Sequence, residues 1–252
     1  MNKDFIAQYS HFENHHWWFI IRKKILLQAL QKQLGGAKKL NILNVGAATG
    51  ASSIWLRQFG NVVSVEYDTT FFNYLQQQQF ACVQASIEAL PFADNSFDLV
   101  CAFDVIEHVE NDSKALAELY RVCNTNGIIS ITVPAFNQLW SMHDVANGHK
   151  RRYTKNTFIT LLSTLPNYTI QYQTYFNSLL FLPIYIVRQL EKLYRKKGSI
   201  VASDFSYYNM HPILNRLFKK IFSMELFLLK YSKLGIGVSY LAIFSKPPFN
   251  KT

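Results

Sequence analysis

Short apolar runs alternate with amphipathic stretches along most of the chain. LNILNV at 40–45 and FDLVCAF at 97–103 are short and predominantly apolar, which is typical of strands buried inside a parallel sheet. Strands that alternate with helices predict an α/β fold built from βαβ units. The same patterns predict strands at 62–66, 81–85, 128–133, 168–176 and 237–246, and helices at 51–59, from Thr69 or Thr70 onward, at 112–123 and at 155–165 with Thr154 as N-cap.

A different pattern occupies residues 178–235, which are mostly helical and rich in Leu, Phe, Tyr and Lys. We therefore divide the chain into four parts. These are an N-terminal aromatic helical part (1–36), an α/β core (37–177), a basic apolar helical insertion (178–235), and the last strand with the tail (236–252).

The charge of the chain favours an anionic partner. The 252 residues carry a net charge of +10, which fits nucleic acid, an anionic membrane surface or a phosphorylated substrate. Residues 178–235 hold ten Lys and Arg against three Asp and Glu, so +7 of the excess lies in that insertion. Basic helices with apolar faces indicate peripheral membrane contact, although the same faces could simply pack on the sheet.

Several features predict a cytoplasmic protein, with the inner face of the membrane as one place of action. The N-terminal stretch has no secretory signal pattern, and the longest apolar run, 179–187, is too short to span a bilayer. Cys82, Cys101 and Cys123 show no metal-type spacing, so we expect reduced thiols.

A glycine-containing turn follows the first predicted strand, and an acid ends the second. NVGAATG at 44–50 can turn tightly and bring backbone N–H groups towards a ligand. Glu66 can accept the hydroxyls of a ribose, as in nucleotide-binding sheets.

These motifs, with SIEALPFADNSFD at 86–98 and DVIEHV at 104–109, resemble the class I S-adenosylmethionine-dependent methyltransferases. The resemblance implies a Rossmann-like, mostly parallel twisted sheet of seven strands, with helices on both faces and a helical insertion before the last strand. It implies S-adenosylmethionine as cofactor. The residues that it assigns to the cofactor are Gly46, Ala47, Gly50, Glu66, Tyr67, Ser86, Ile87 and Phe103.

Two positions depart from that family's pattern. Asn44 stands where an acid usually begins the first motif, and Ser86 stands where an Asp usually accepts from the adenine amino group. Both changes remove a negative charge, so weaker cofactor binding or a catalytically silent protein remains open.

A narrower resemblance links DVIEH at 104–108 and GHKRRYT at 148–154 to ubiquinone-pathway O-methyltransferases and small-RNA 2′-O-methyltransferases. It implies a divalent metal, Mg²⁺, Mn²⁺ or Zn²⁺. The spacing would let one helical turn bring Asp104, Glu107 and His108 to one side. The implied metal ligands are Asp104, Glu107, His108 and His149.

A metal-free mechanism is the alternative. His143 or His149 would act as general base with Asp144 orienting it, and Glu107 and His108 would orient substrate. GHKRRYT alone could be a solvated basic loop, but its place after the predicted strand 128–133 favours the rim of a site. Arg151 and Arg152 would then hold a phosphate or carboxylate of the substrate. The predicted catalytic residues are His108, Asp144, His149, Arg152 and Tyr153.

The N-terminal stretch HFENHHWWFIIRKK at 11–24 is aromatic and cationic. It is similar to the openings of bacterial methyltransferases encoded with envelope-glycan enzymes. This similarity implies that Trp17, Trp18 and Arg22 cover the cofactor, with Arg22 binding it. The alternative is a helix that only packs on the sheet through its aromatic residues.

The sequence therefore predicts O-methylation of a small or lipid-linked substrate, such as a polyprenyl-linked sugar or a quinone-like phenol. RNA methylation is the alternative within enzymes, although no RNA-binding module is recognisable. The alternative outside enzymes is a catalytically silent protein that binds S-adenosylmethionine.

Overall fold

The computed structural model describes residues 3–194 and 211–247 and contains one seven-stranded sheet. Its spatial order is β3-β2-β1-β4-β5-β7-β6, with β7 antiparallel to both of its neighbours and every other pairing parallel. The predicted α/β, Rossmann-like fold is confirmed. The strands are β1 (Leu40–Val45), β2 (Gly60–Glu66), β3 (Cys82–Gln84), β4 (Phe97–Phe103), β5 (Cys123–Pro134), β6 (Thr169–Phe176) and β7 (Ser239–Ser245).

Helices cover both faces of this sheet. One core layer joins β4 and β5 to α5 and α7, and the other joins the opposite face to α2, α3 and α9. The helices are α1 (Lys3–His15), α2 (Trp17–Leu34), α3 (Ala51–Leu56), α4 (Thr69–Gln77), α5 (Asp112–Val122), α6 (Met142–Ala146), α7 (Lys155–Leu162), α8 (Phe181–Tyr194) and α9 (Pro212–Tyr231).

Local polar groups set several of these boundaries. The Asp68 side chain accepts from Thr70 N and Phe71 N, so α4 begins at Thr69. Thr154 caps α7 as predicted. The strand predicted at 128–133 begins earlier, at Cys123, because Cys123 pairs with Phe97 ahead of a register shift.

The predicted insertion contributes α8 and α9, which lie in sequence between β6 and β7. Both helices expose apolar stripes, formed on α8 by Leu182, Ile186, Leu190 and Leu193. Arg195, Lys196, Lys197 and Asp204, which enter the charge count, lie outside the described residues. Over the ranges 3–194 and 211–247, no helix is long and apolar enough to cross a bilayer.

Candidate active site

A cavity of about 1390 Å³ lies at the carboxyl ends of β1, β2, β4 and β5. Val45, Glu66, Phe103 and Pro134, each at the end of its strand, all line it. The strand order changes direction between β1 and β4, and open parallel sheets bind ligands at such a switch point.

Gly46, Ala47 and Ala48 of the glycine turn line this cavity, whereas the predicted cofactor residue Gly50 is not among the lining residues. Gly46 has φ 73°, and a Cβ there would lie 2.4 Å from Val105 Cγ2. Gly50 has φ 86°, and its Cβ would lie 2.6 Å from Phe80 Cζ. The N–H groups of Gly46 and Ala47 donate to the Val65 carbonyl at 2.8 and 3.1 Å, which fixes the turn against β2. Glycine is therefore required at both positions.

Glu66 is buried at the end of β2, and the backbone fixes its carboxylate. It accepts from Ala48 N at 2.8 Å and from Asp68 N at 2.9 Å. Burial raises the pKa of Glu66, while these hydrogen bonds act in the opposite direction. Each oxygen retains acceptor capacity that a diol could use.

The remaining predicted cofactor residues also border the cavity. Tyr67 is 74% exposed, whereas Ile87 is buried. Ser86 lines the wall, and its hydroxyl accepts from Glu88 N at 3.1 Å. Phe103 stacks on Trp55 with ring centroids 5.6 Å apart.

Asn44, which replaces the expected acid, serves the turn itself. Its amide donates to the Ser52 and Ser53 hydroxyls, each at 2.8 Å. These bonds tie the end of β1 to the start of α3, so Asn44 provides no negative charge to the cavity.

The predicted helical turn from Asp104 to His108 is wrong. Asp104 has φ +58°, and the segment that follows forms turns instead of a helix. The Asp104 carboxylate forms an ion pair with Arg22 of α2. It is not one of the three grouped ligand residues, Glu107, His108 and His149, so its prediction as a fourth metal ligand is corrected.

Glu107, His108 and His149 do come together. One ligand atom from each lies within 4.8 Å of the others. Glu107 is fully buried, and neither of its carboxylate oxygens has a hydrogen-bond partner among the described residues. Burial, and then the Asp104 carboxylate, raise the pKa of Glu107 well above its ordinary value.

His108 faces the cavity with 39% of its side chain exposed. Desolvation at this place, and then the neighbouring His149, lower the pKa of His108 to about 4. His108 is therefore a neutral imidazole at pH 7.

Asp144 holds His149 in place from α6. The carboxylate is fully buried, and His149 Nδ1 lies 2.8 Å from Asp144 Oδ1. Arg152 completes the arrangement through Nε at 2.7 Å from Oδ1 and Nη2 at 3.0 Å from Oδ2. The orienting role predicted for Asp144 thus falls on His149, while His143 contacts Asn147.

The cations of GHKRRYT are paired within the protein. Lys150 contacts Glu110 at 2.6 Å, and Arg151 contacts Asp112 at 2.9 Å. Arg152 is buried against Asp144. Internal carboxylates engage both guanidinium groups, so the substrate clamp predicted for Arg151 and Arg152 would have to replace these ion pairs.

Tyr153, which is also predicted to be catalytic, belongs to the core. Its ring is buried in the core, and its hydroxyl donates to Asp112 at 2.8 Å. It is not among the cavity-lining residues, and it anchors the loop to α5.

The N-terminal helices both pack on α9 and line the cavity. Trp17 packs against Phe218 and Phe222 of α9. Trp18 and Arg22 line the cavity, with the Arg22 guanidinium carbon 4.9 Å from the Trp18 ring centroid.

Sequence reasoning missed Glu13. This acid of α1 lines the cavity and accepts a hydrogen bond from the Thr49 hydroxyl of the glycine turn. The two residues are 36 positions apart, and no spacing rule connects them.

Comparisons with known proteins identify the domain and the fold. Residues 43–131 match the family model described as a methyltransferase domain. A malonyl-[acyl-carrier protein] O-methyltransferase from Pseudescherichia vulneris is 29% identical over 133 residues, covering 52% of this chain and 53% of that protein. A ubiquinone/menaquinone biosynthesis C-methyltransferase from Klebsiella pneumoniae is 33% identical over 97 residues, covering 37% of this chain and 33% of that protein. The chain thus spans about half, or less, of these relatives.

Solved structures share the fold at low identity. A methyltransferase structure from Thermotoga maritima has a TM-score of 0.56 at 15% identity, covering 96% of this chain and 98% of that chain. The [4+2]-cyclase SpnF has a TM-score of 0.55 at 14% identity, covering 88% of this chain and 80% of that chain. Residues 43–131 therefore form a methyltransferase domain, and the seven-stranded sheet around it has the arrangement of the class I S-adenosylmethionine-dependent methyltransferases.

Proposed function

We propose that the cavity binds S-adenosylmethionine and that the chain transfers its methyl group to an oxygen nucleophile. The residues present fit this cofactor, since Glu66 is fixed for a diol and Gly46 allows a close backbone approach. The bound cofactor supplies an activated methyl group, and the chain aligns the acceptor with it.

The observation that carries the acceptor chemistry is the pair of Asp144 and His149. A hydrogen bond from His149 Nδ1–H to Asp144 leaves Nε2 as the acceptor of a substrate proton. Arg152 keeps Asp144 ionised, so the imidazole is held in one tautomer and orientation.

A divalent cation at Glu107, His108 and His149 is the second candidate for activating the acceptor. The two buried carboxylate oxygens of Glu107, which accept no hydrogen bond within the described part of the chain, favour it. One carboxylate with two imidazoles suits Zn²⁺ or Mn²⁺ better than Mg²⁺. Such an ion would polarise the substrate oxygen.

For the substrate, we propose a small or lipid-linked molecule that is reached from the cytoplasmic face of a membrane. Ile184 and Arg188 of α8 line the cavity, while Leu182, Ile186 and Leu190 of the same helix are exposed. One helix would therefore contact both the bilayer and the substrate. The relatives named for an acyl-carrier substrate and for quinone biosynthesis are compatible with this substrate class.

RNA methylation and silent cofactor binding remain the alternatives. The cations of GHKRRYT are paired, which weakens the case for a nucleic-acid patch there. The fold alone does not establish methyl transfer, because a [4+2]-cyclase has the same fold.

Methyl-labelled S-adenosylmethionine tests the proposal. The chain is incubated with an extract of its source cells, which is then separated into lipid, small-molecule and RNA fractions. We expect label in the lipid or small-molecule fraction, and none with Glu66→Gln at limiting cofactor. Label confined to RNA would contradict the proposal, and label in no fraction would favour the silent protein. Chelation followed by Zn²⁺ or Mn²⁺ addition separates the two activation mechanisms.

A further inference from the structure

Glu13 brings a carboxylate from α1 to the glycine turn at the end of β1. It accepts from the Thr49 hydroxyl and lines the same cavity as Gly46 and Glu66. Thr49 itself is buried, so the contact fixes α1 over the turn.

The end of β1 has no acid of its own. Residues 40–50 contain neither Asp nor Glu, and Asn44 is engaged by Ser52 and Ser53. Glu13 therefore brings a carboxyl group to a turn whose own sequence lacks an acid.

The order of the strands indicates which part of the cofactor would meet Glu13. Glu66 on β2 fits the ribose, and Ser86 and Ile87 lie on the β3 side. The candidate acceptor residues His108 and His149 lie beyond β4. The methyl group must face those residues, so the methionine part has to extend across β1 and β4, next to Glu13 and Arg22.

The surroundings of Glu13 favour a cationic ligand. The side chain is partly buried, and desolvation raises the pKa of Glu13 to about 7, although the Thr49 hydrogen bond and the Arg22 charge act in the other direction. A desolvated carboxylate gains free energy when a cation arrives beside it. The methionine part carries an α-ammonium group.

We propose that Glu13 binds the α-ammonium group of the cofactor's methionine part, which makes helix α1 a wall of the cofactor site. This inference rests on the proposed function. Arg22, on the next helix, lines the same cavity and is paired with Asp104.

Calorimetry with two nucleosides tests it. S-adenosylhomocysteine carries the amino acid part, and 5′-methylthioadenosine lacks it. We expect Glu13→Gln to weaken the binding of S-adenosylhomocysteine by about 10- to 100-fold. The binding of 5′-methylthioadenosine should weaken by less than about twofold. Glu13→Asp, which keeps the carboxylate, should retain part of the preference for S-adenosylhomocysteine over 5′-methylthioadenosine. It replaces Glu13→Gln in this test if Glu13→Gln does not fold.

Glu110→Gln is the charge-matched control, because Glu110 is an exposed acid at the cavity rim. It should leave both affinities unchanged. If Glu13→Gln weakens the binding of both nucleosides equally, or of neither, the inference is overturned. Failure of the unsubstituted chain to bind either nucleoside would instead overturn the proposed function.

Discussion

At the scale of single residues, Asp144 positions His149, the histidine that we propose for proton transfer. Burial alone would raise the pKa of Asp144, but the hydrogen bond from His149 and the charge of Arg152 outweigh it, so the pKa is lowered. Asp144 also accepts from Ser141 N at 2.8 Å. An ionised carboxylate with these partners positions His149 and keeps Arg152 compensated.

Substitution of His149 and Asp144 separates catalysis from stability. We expect His149→Gln to lower kcat by about 100-fold or more, with unchanged S-adenosylhomocysteine affinity. The unfolding free energy should fall by about 1 kcal/mol, because buried Asp144 loses one hydrogen bond. Asp144→Asn should also cost about 3 kcal/mol of stability, because it leaves Arg152 buried beside a neutral partner. Kinetics and denaturant unfolding measure both. Equal activity of His149→Gln and the unsubstituted enzyme would exclude His149 as base or ligand.

The acid Glu13 gives the free protein a specific pH dependence. Its pKa is about 7 in the folded chain and ordinary when unfolded, so the folded state binds more protons between pH 4.5 and 7. This contribution to stability is present below the unfolded pKa and is lost as pH rises through about 7. Tyr9 and Arg22 face the same carboxylate and are present in both chains. Burial, and then the Glu13 charge, raise the pKa of Tyr9 above its ordinary value, so Tyr9 stays neutral from pH 5 to pH 8.

The comparison of unfolding free energies of the unsubstituted chain and Glu13→Gln measures this dependence. From pH 5 to pH 8 we expect the unfolding free energy of the unsubstituted chain to fall by about 1–2 kcal/mol relative to that of the variant. The change is this small because the Glu13 side chain is partly exposed to solvent. A constant difference across that range would show that Glu13 titrates normally.

At the scale of elements, the turn after β1 depends on the conformation and the close packing of Gly46. Gly148 has a similar φ of 68°, but a Cβ there would meet nothing within 4 Å. Gly148→Ala should therefore cost only the backbone strain, about 1 kcal/mol. Gly46→Ala should cost at least about 1 kcal/mol more, because the new methyl group would overlap Val105.

Thermal or denaturant unfolding of both variants checks this difference. Val105→Ala in the Gly46→Ala background should recover part of the loss by removing the overlapping methyl groups. Equal destabilisation of Gly46→Ala and Gly148→Ala would mean that the turn relaxes around a side chain.

Helix α8 provides the test of membrane contact. We expect Ile186→Gln, Leu190→Gln and Leu193→Gln together to abolish flotation with phosphatidylglycerol vesicles, while unfolding free energy changes by less than about 0.5 kcal/mol per site because these residues are exposed. Ile54→Gln, which alters an exposed apolar residue of α3, should float like the unsubstituted chain. Absence of flotation for the unsubstituted chain would contradict the proposed membrane contact.

Local sequence patterns predicted the sheet well because its strands are short and apolar. β1 and β4 have the predicted bounds, and α7 has the predicted N-cap. The segment after β4 was not predictable in this way, since the spacing of Asp104, Glu107 and His108 fits a helix. The positive φ of Asp104 and its ion pair with Arg22 depend on packing of α2, which lies 82 positions away.

At the scale of the whole molecule, the cavity joins elements that are far apart in sequence. Family motifs identified the glycine turn and Glu66, and they identified the loop that carries His149. They could not show that the GHKRRYT cations pair with Glu110, Asp112 and Asp144, because each pairing depends on tertiary packing. The contact of Glu13 with Thr49 was invisible for the same reason.

Cofactor binding is the claim on which the rest depends. Calorimetric titration of the chain with S-adenosylhomocysteine measures it most directly. We predict one saturable site per chain, with a dissociation constant between about 1 μM and 1 mM. Glu66→Gln should weaken binding at least about tenfold, because the ribose loses a charged acceptor. No saturable heat at millimolar ligand, or an affinity that is unaffected by Glu66→Gln, would contradict the assignment of the cavity.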